Sequence, residues 1–225
     1  MRAVVALFSM ILSLAACAQD SSQFKAGEHY QVLPRAVPQA NASKIEINEV
    51  FWYGCGHCYT FEPVFNGWSA KLPADVDVVK TPAVWQPVME VHARLYYIAK
   101  AMGVLDKMHQ PLFNAITQER KTLAIRNGRN WTPDTKAIED LFNAHGADGA
   151  KAVKMLNSFG ITSQVRQGQA KQRAYAITGT PELVVAGKYR ISASMPGFKG
   201  KPGGQQAMLR VAEYLIEKER ADKNG

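Results

Sequence analysis

From Ile45 the chain alternates apolar and polar side chains through Ile45-Glu46-Ile47-Asn48-Glu49, then becomes continuously apolar and aromatic through Val50-Phe51-Trp52-Tyr53. A period of two passing into an unbroken apolar run is the pattern of a strand entering a core, and Gly54 ends it. Past Cys55 the apolar spacing becomes helical, at Tyr59, Phe61, Phe65 and Trp68, so Cys55 falls where strand gives way to helix. Pro63 lies inside this helix and is expected to kink it. Val76-Asp77-Val78-Val79-Lys80 predicts a second strand, closed by Thr81-Pro82.

From Glu90 to about Tyr175 the pattern is helical, clearest in Val91 to Ala101 and Lys136 to Asn143, with breaks expected at Gly103, Pro111, Gly128, Gly146 and Gly160. Thr132-Pro133-Asp134 reads as a helix start, with Thr132 the cap and Pro133 in the first turn. Strand character returns at Glu182-Leu183-Val184-Val185 and Tyr189-Arg190-Ile191. Met195 to Gly204 reads as a Gly- and Pro-rich loop, and Gln205 to Arg220 as a closing amphipathic helix carrying Met208, Leu209, Ala212 and Leu215. The order βαβ, helical block, ββα predicts an α/β fold interrupted by an inserted helical domain.

The N-terminus has its own pattern. Met1 and Arg2 precede an apolar run from Ala3 to Ala16, the charged start and short apolar centre of a secretion signal. Membrane spanning needs about 20 apolar residues; this run stops at Cys17, followed by Gln19, Asp20, Ser21 and Ser22, so residues 1–18 are expected to be removed. Leu14-Ala15-Ala16-Cys17 is similar to the bacterial lipoprotein signal, in which Cys17 would become the lipidated first residue. Ordinary cleavage after Ala18 is the competing reading.

With 47% hydrophobic and 20% charged residues and no repeat, the 225-residue chain has the composition of a folded globular protein. The formal charge is +8, and loss of Arg2 leaves 26 basic against 19 acidic residues. The basic residues are spread out: the Arg120-Lys121 cluster sits beside Glu119 without aromatic interleaving, which argues against nucleic-acid binding.

Export to an oxidising compartment permits disulfides. After the signal only Cys55 and Cys58 remain, and a bridge three residues apart closes so short a loop that it is a poor structural staple. Chemistry is the better reason for the pair. A sulfur at a helix N-terminus meets unpaired N–H groups and the positive end of the helix dipole, which favours Cys55 as the thiolate nucleophile. Cys58, one turn on, is placed to resolve a mixed disulfide, and His57 can add a positive charge or a donor to the Cys55 sulfur. Zinc would need a second ligand pair, and haem attachment would need histidine where Tyr59 stands.

The strand, Cys55-Gly56-His57-Cys58, the helix and the distant Gly179-Thr180-Pro181-Glu182-Leu183 together resemble the thioredoxin superfamily. The helical insertion and the run from Glu49 through Cys58-Tyr59-Thr60-Phe61-Glu62 are similar to its DsbA family of bacterial periplasmic disulfide oxidases. The resemblance implies a thioredoxin fold built from residues 24–88 and 176–225 with a helical insertion at 89–175. It implies a cis-proline at Pro181, with Thr180 and Pro181 binding an extended client, and a buried Glu49–Lys80 pair relaying protons to Cys58; surface charges at strand ends are the alternative. Glu62 matches an acidic family position or lies on a solvated helix face. The implied function is a periplasmic, monomeric protein, lipid-anchored through Cys17 if the lipoprotein signal is used, that donates its disulfide to unfolded or reduced exported proteins. A DsbB-type quinone-linked membrane oxidase would recharge it, with no metal and no cofactor beyond the disulfide. Gly56, where the family commonly carries proline, and Thr180 are shared with disulfide isomerases, so isomerase or reductase action is the rival, alongside a chaperone-like binding module.

Overall fold

A computed structural model describes residues 24–199 and 203–224; the signal segment and Cys17 lie outside the described residues. Five strands form one sheet in the order β1 (Gln31–Val32), β7 (Tyr189–Ser192), β6 (Glu182–Val185), β2 (Ile45–Phe51), β3 (Val76–Pro82). β2 and β3 run parallel, joined by helix α1 (Gly56–Ser69) as a crossover, and the remaining neighbours are antiparallel. All of β2 is buried, as a central strand covered on both faces should be.

The two faces of β2 have different covers. Ile45 and Ile47, with Leu183, Val185 and Ile191, pack against Phe61 and Phe65 of α1 and Met208, Val211 and Leu215 of α7 (Gly204–Asn224). Val50 and Val184 point the other way, onto Met89, Tyr175 and Ile177. The polar positions Glu46 and Asn48 share this second face and are also buried: Glu46 Oε1 meets Lys171 Nζ at 3.0 Å and accepts from Asn48 Nδ2 at 3.2 Å. The alternation at the start of β2 therefore marks a polar face covered by the insertion, paired rather than solvated.

The insertion comprises α2 (Pro87–Ala101), α3 (Leu105–Phe113) running into a π-turn at Asn114–Gln118, then α4 (Thr135–Ala144), α5 (Gly149–Met155) and α6 (Phe159–Ala174). Between α3 and α4 it also holds a hairpin, β4 (Ala124–Asn127) and β5 (Asn130–Pro133), which the helical pattern did not predict. Gly128 takes the first loop position with φ +62°, the left-handed conformation that a two-residue hairpin turn demands. The break expected at Pro111 is absent, since Pro111 lies within α3, and the one expected at Gly160 falls just before it, between Met155 and Phe159. α1 likewise continues through Pro63. Its missing N–H leaves the Tyr59 carbonyl without an intrahelical donor, and the packing of Phe61 and Phe65 holds the helix together across that gap.

The start of α4 is two residues later than the sequence pattern suggested. Thr132 and Pro133 end β5, and Asp134 is the cap, its carboxylate accepting from the Ala137 N–H at 3.1 Å. Thr132 is exposed. Asp134→Ala should lower stability by about 1 kcal/mol in urea unfolding, whereas Thr132→Ala should stay within about 0.5 kcal/mol.

Candidate active site

The chain leaves β2 through Trp52-Tyr53-Gly54, and Gly54 is required because a side chain there would run into the Trp52 indole. Trp52 is itself held by the insertion. Its indole N–H donates to His92 Nδ1 at 3.0 Å, while His92 Nε2 lies 2.7 Å from the Thr122 carbonyl. Burial lowers the His92 pKa to about 4, so this ring is a neutral, satisfied core histidine with Nε2 as donor.

Cys55 caps α1 in an extended conformation, and its sulfur accepts from the Cys58 N–H at 3.4 Å. On its other side the sulfur lies 3.3 Å from the carbonyl of Thr180, whose bond to Pro181 is cis. Cys58 has no exposed surface and packs with Phe51 and Tyr53. Both cysteines are free thiols here.

The two thiols titrate in opposite directions. The Cys55 pKa falls to about 5, chiefly because the Cys58 side chain bonds to its sulfur; partial burial opposes this, and Thr180 and the backbone N–H groups of Cys58 and His57 add to it. The Thr180 carbonyl accepts from the protonated thiol and so favours the neutral form, but the donors outweigh it. Burial pushes the Cys58 thiol far above the usual range, and the neighbouring Cys55 sulfur pushes it further. The imidazole of His57 is not the donor anticipated from the sequence: it is exposed, and the bond from His57 to the sulfur comes from its backbone.

Beside the sulfur opens a cavity of about 460 Å³ lined by His57, Thr60, Thr180, Pro181, Glu182 and Ser192, among others. Gln205 from the start of α7 closes one side by donating to the His57 carbonyl at 2.8 Å. Thr180 is thus next to both the sulfur and an open groove, and Pro181 lines that groove.

One turn after Cys58 on α1, Glu62 joins a charge cluster. Register pairs Glu49 with Lys80 across β2 and β3, and their charged atoms lie 3.0 Å apart. Lys80 directs its hydrogen bonds to Glu62 Oε1 at 2.5 Å and Asn66 Oδ1 at 3.3 Å, leaving both oxygens of the fully buried Glu49 without a hydrogen-bond donor among the described residues. Burial accordingly raises the Glu49 pKa to about 7, with the Lys80 charge resisting and the Glu62 charge assisting. Glu62 is 1% exposed, which excludes the solvated-face reading of this position. Burial disfavours its charge too, but His109 and Lys80 outweigh burial and hold its carboxyl below the usual range. His109 Nε2 stands 3.1 Å from Glu62 Oε1, off the line of a good hydrogen bond, and Nδ1 lies 2.7 Å from the Tyr53 hydroxyl. Sequence reasoning missed His109 and Tyr53. The available signal was a histidine beside Met108, on a helix whose buried face also carries Leu112 and Phe113, and such residues are usually core.

A helix-capping cysteine with a depressed pKa, a buried partner one turn on, and a cis-Pro loop against the sulfur define a thioredoxin-fold thiol-disulfide oxidoreductase. Residues 81–201 match the family model of the DSBA-like thioredoxin domain. The chain is 41% identical over 209 residues to the thiol:disulfide interchange protein DsbA of Pseudomonas aeruginosa, covering 93% of this chain and 92% of that one, and 40% identical over 200 residues to DsbA of Azotobacter vinelandii, covering 89% and 86%. The crystal structure of Pseudomonas aeruginosa DsbA superposes with a TM-score of 0.78 at 38% identity, over 90% of this chain and 97% of that one. Oxidoreductase DsbA from Xylella fastidiosa gives a TM-score of 0.75 at 28% identity, over 88% and 98%. The chain belongs to the DsbA family. Among the described residues no helix is long and apolar enough to cross a membrane, and no group of His, Cys, Asp and Glu could hold a metal ion.

In the reduced protein, alkylation of Cys55 should follow a midpoint near pH 5 while Cys58 stays unmodified. A Cys55 midpoint near the ordinary thiol value of about 8.5 would refute the stabilised thiolate. Because the folded pKa lies below the unfolded one, the reduced form should gain stability as pH rises from about 5 toward about 8.5 and lose it as pH falls through about 5. Urea midpoints across that range check the sign.

Proposed function

We propose that the protein is an oxidase that passes its Cys55–Cys58 disulfide to unfolded or reduced exported proteins. The observation that carries this is the stabilised Cys55 thiolate: holding the reduced form down in energy makes the disulfide easier to reduce, with about 30 mV for each 1.4 kcal/mol. Cys55 forms the mixed disulfide and Cys58 resolves it. Thr180 and Pro181 bind the client as an extended segment along the cavity beside the sulfur, and His57 adds positive charge when protonated. Glu49, with Lys80, exchanges the Cys58 proton, a role supported by its burial and raised pKa.

A DsbB-type quinone-linked membrane oxidase regenerates the disulfide, and the protein works in the periplasm as a monomer with no metal. Cys17 is its lipid anchor if the lipoprotein signal is used. Residues 24–88 and 176–225 form the redox domain, and 89–175 the insertion. A chaperone-like module with incidental thiols would leave a Cys55→Ser form able to rescue every client.

The reduction potential measured against glutathione tests the oxidase reading. It should lie well above thioredoxin's value of about −270 mV, and a potential at that value would exclude the reading. Gly56 and Thr180 favour a milder oxidant with isomerase character, which would also isomerise scrambled disulfides in the same assay series. Gly56 opens α1, nothing lies within reach of an added side chain there, and the preceding Cys55 is extended as a residue before proline must be. Gly56→Pro should therefore fold and gain about 0.4–1 kcal/mol in urea unfolding; a loss would show that the helix mouth needs glycine.

A further inference from the structure

His109 belongs to the insertion yet reaches the buried charges under the sheet. Its ring bridges the Tyr53 hydroxyl, 2.7 Å from Nδ1, and Glu62 Oε1, 3.1 Å from Nε2. Contacts continue from Glu62 Oε1 to Lys80 Nζ at 2.5 Å and from Lys80 Nζ to Glu49 Oε2 at 3.0 Å. On the outer side a cavity of about 290 Å³ opens against His109, Glu62, Lys80, Asn66, Asp106 and Gln110.

Disulfide transfer needs a proton at the inner end of this chain of contacts. When a client thiolate attacks the Cys55 sulfur, the Cys55–Cys58 bond breaks and its electron pair leaves on Cys58, whose buried sulfur must take up a proton. The client's second thiolate then attacks its own sulfur in the mixed disulfide, closing the client disulfide and releasing Cys55 as a thiolate. Two electrons have moved to the enzyme; of the client's two protons, one is matched by the proton on Cys58 and the other stays in solvent. Reoxidation makes Cys58 give its proton back.

Glu49 is fully buried and cannot trade protons with water itself. An ammonium ordinarily releases its proton only near pH 10.4, so lysine is a poor carrier at neutrality, whereas an imidazole, ordinarily near 6.5, both takes and gives. The groups facing His109 are Glu62 from α1, Lys80 from β3, Tyr53 after β2, Tyr96 from α2 and Asp106 from its own helix. Burial among them lowers the His109 pKa against the pull of Glu62, leaving the ring neutral and ready to accept.

We propose that His109 is the positioning residue through which protons enter and leave the Glu49–Lys80–Glu62 cluster, so that the helical insertion supplies the solvent end of the Cys58 half-reaction. The proposal rests on Glu49 serving Cys58. To test it, reduced parent, His109→Gln and Glu49→Gln proteins are mixed with oxidised glutathione across about pH 5 to 9. Capture of glutathione at Cys55 and closure by Cys58 are timed separately by acid quench and mass spectrometry. Glutamine offers Glu62 a donor and Tyr53 an acceptor but shuttles no proton, so a purely structural role would survive the change. Closure in His109→Gln is expected to slow roughly ten- to a hundredfold near neutrality, with capture and thermal midpoint unchanged and partial recovery on adding imidazole. Parent-rate closure in His109→Gln while Glu49→Gln is slow would overturn the proposal and leave the Glu49 relay standing. Parent-rate closure in Glu49→Gln would remove the relay and the role of His109 together. His109→Asn replaces the glutamine variant if that one fails to fold.

Discussion

The backbone from Gly54 to Cys58 holds two sulfurs three residues apart in opposite surroundings, and the rest of the site depends on that asymmetry. Cys55 stands at the helix mouth, where the Cys58 thiol and the first-turn N–H groups converge on its sulfur. Cys58 stands in a core where burial and the Cys55 sulfur both disfavour its anion, and only the Trp52 backbone and Thr180 pull the other way. Two equal thiols would leave the direction of attack undecided. Here the half-buried one is ionised at neutral pH and the fully buried one is not, so attack, capture and resolution have an order before any client arrives.

Burying Cys58 creates a proton problem, and the sheet register sets a buried charge cluster one turn further along the same helix, at Glu62. In the parallel pairing of β2 with β3, Glu49 falls opposite Lys80, with Glu62 of the crossover helix close enough to share the same ammonium. Two carboxylates competing for one lysine cannot both be well solvated by it. His109 settles the contest by supporting Glu62, which leaves Glu49 the under-solvated partner and the one that binds a proton near neutrality. A lone buried Glu–Lys pair would favour two fixed charges. The added carboxylate and imidazole turn a structural ion pair into a group able to titrate.

Much of this was legible in the chain, for identifiable reasons. The strand-to-helix change of period around Cys55 survives because both elements have strong apolar faces, and Glu49 and Lys80 stood out because each interrupts a strand. The hairpin at Ala124–Pro133 escaped because its strands are four residues long and mostly exposed, so burial imposed no period of two on them. Pro63 and Pro111 look like breakers locally, yet tertiary packing overrides them. Glu62 was ambiguous because a helix period assigns a face but cannot say that α3 will come to cover it. His109 was illegible for the same reason: its meaning depends on partners 29 and 47 residues away in the chain, Lys80 and Glu62.

The insertion also builds the surroundings of the cysteines, besides covering the sheet. Phe51, Tyr53 and Cys58 share one apolar cluster with Leu95, Phe113 and Phe142 of the inserted helices, so the floor under the buried thiol is built from both parts of the chain. The Tyr53 backbone carbonyl accepts from Thr117 of the π-turn, and its hydroxyl meets His109. Trp52 is held by His92 in the same way. Trp52 and Tyr53 are thus fixed from the insertion side, while the Cys55 sulfur is met by Thr180. A thioredoxin sheet alone would present the same two cysteines, but with no cover over Glu62 and nothing to hold Trp52 and Tyr53. Its buried carboxylates would then meet water, and Glu49 would return toward an ordinary carboxylate.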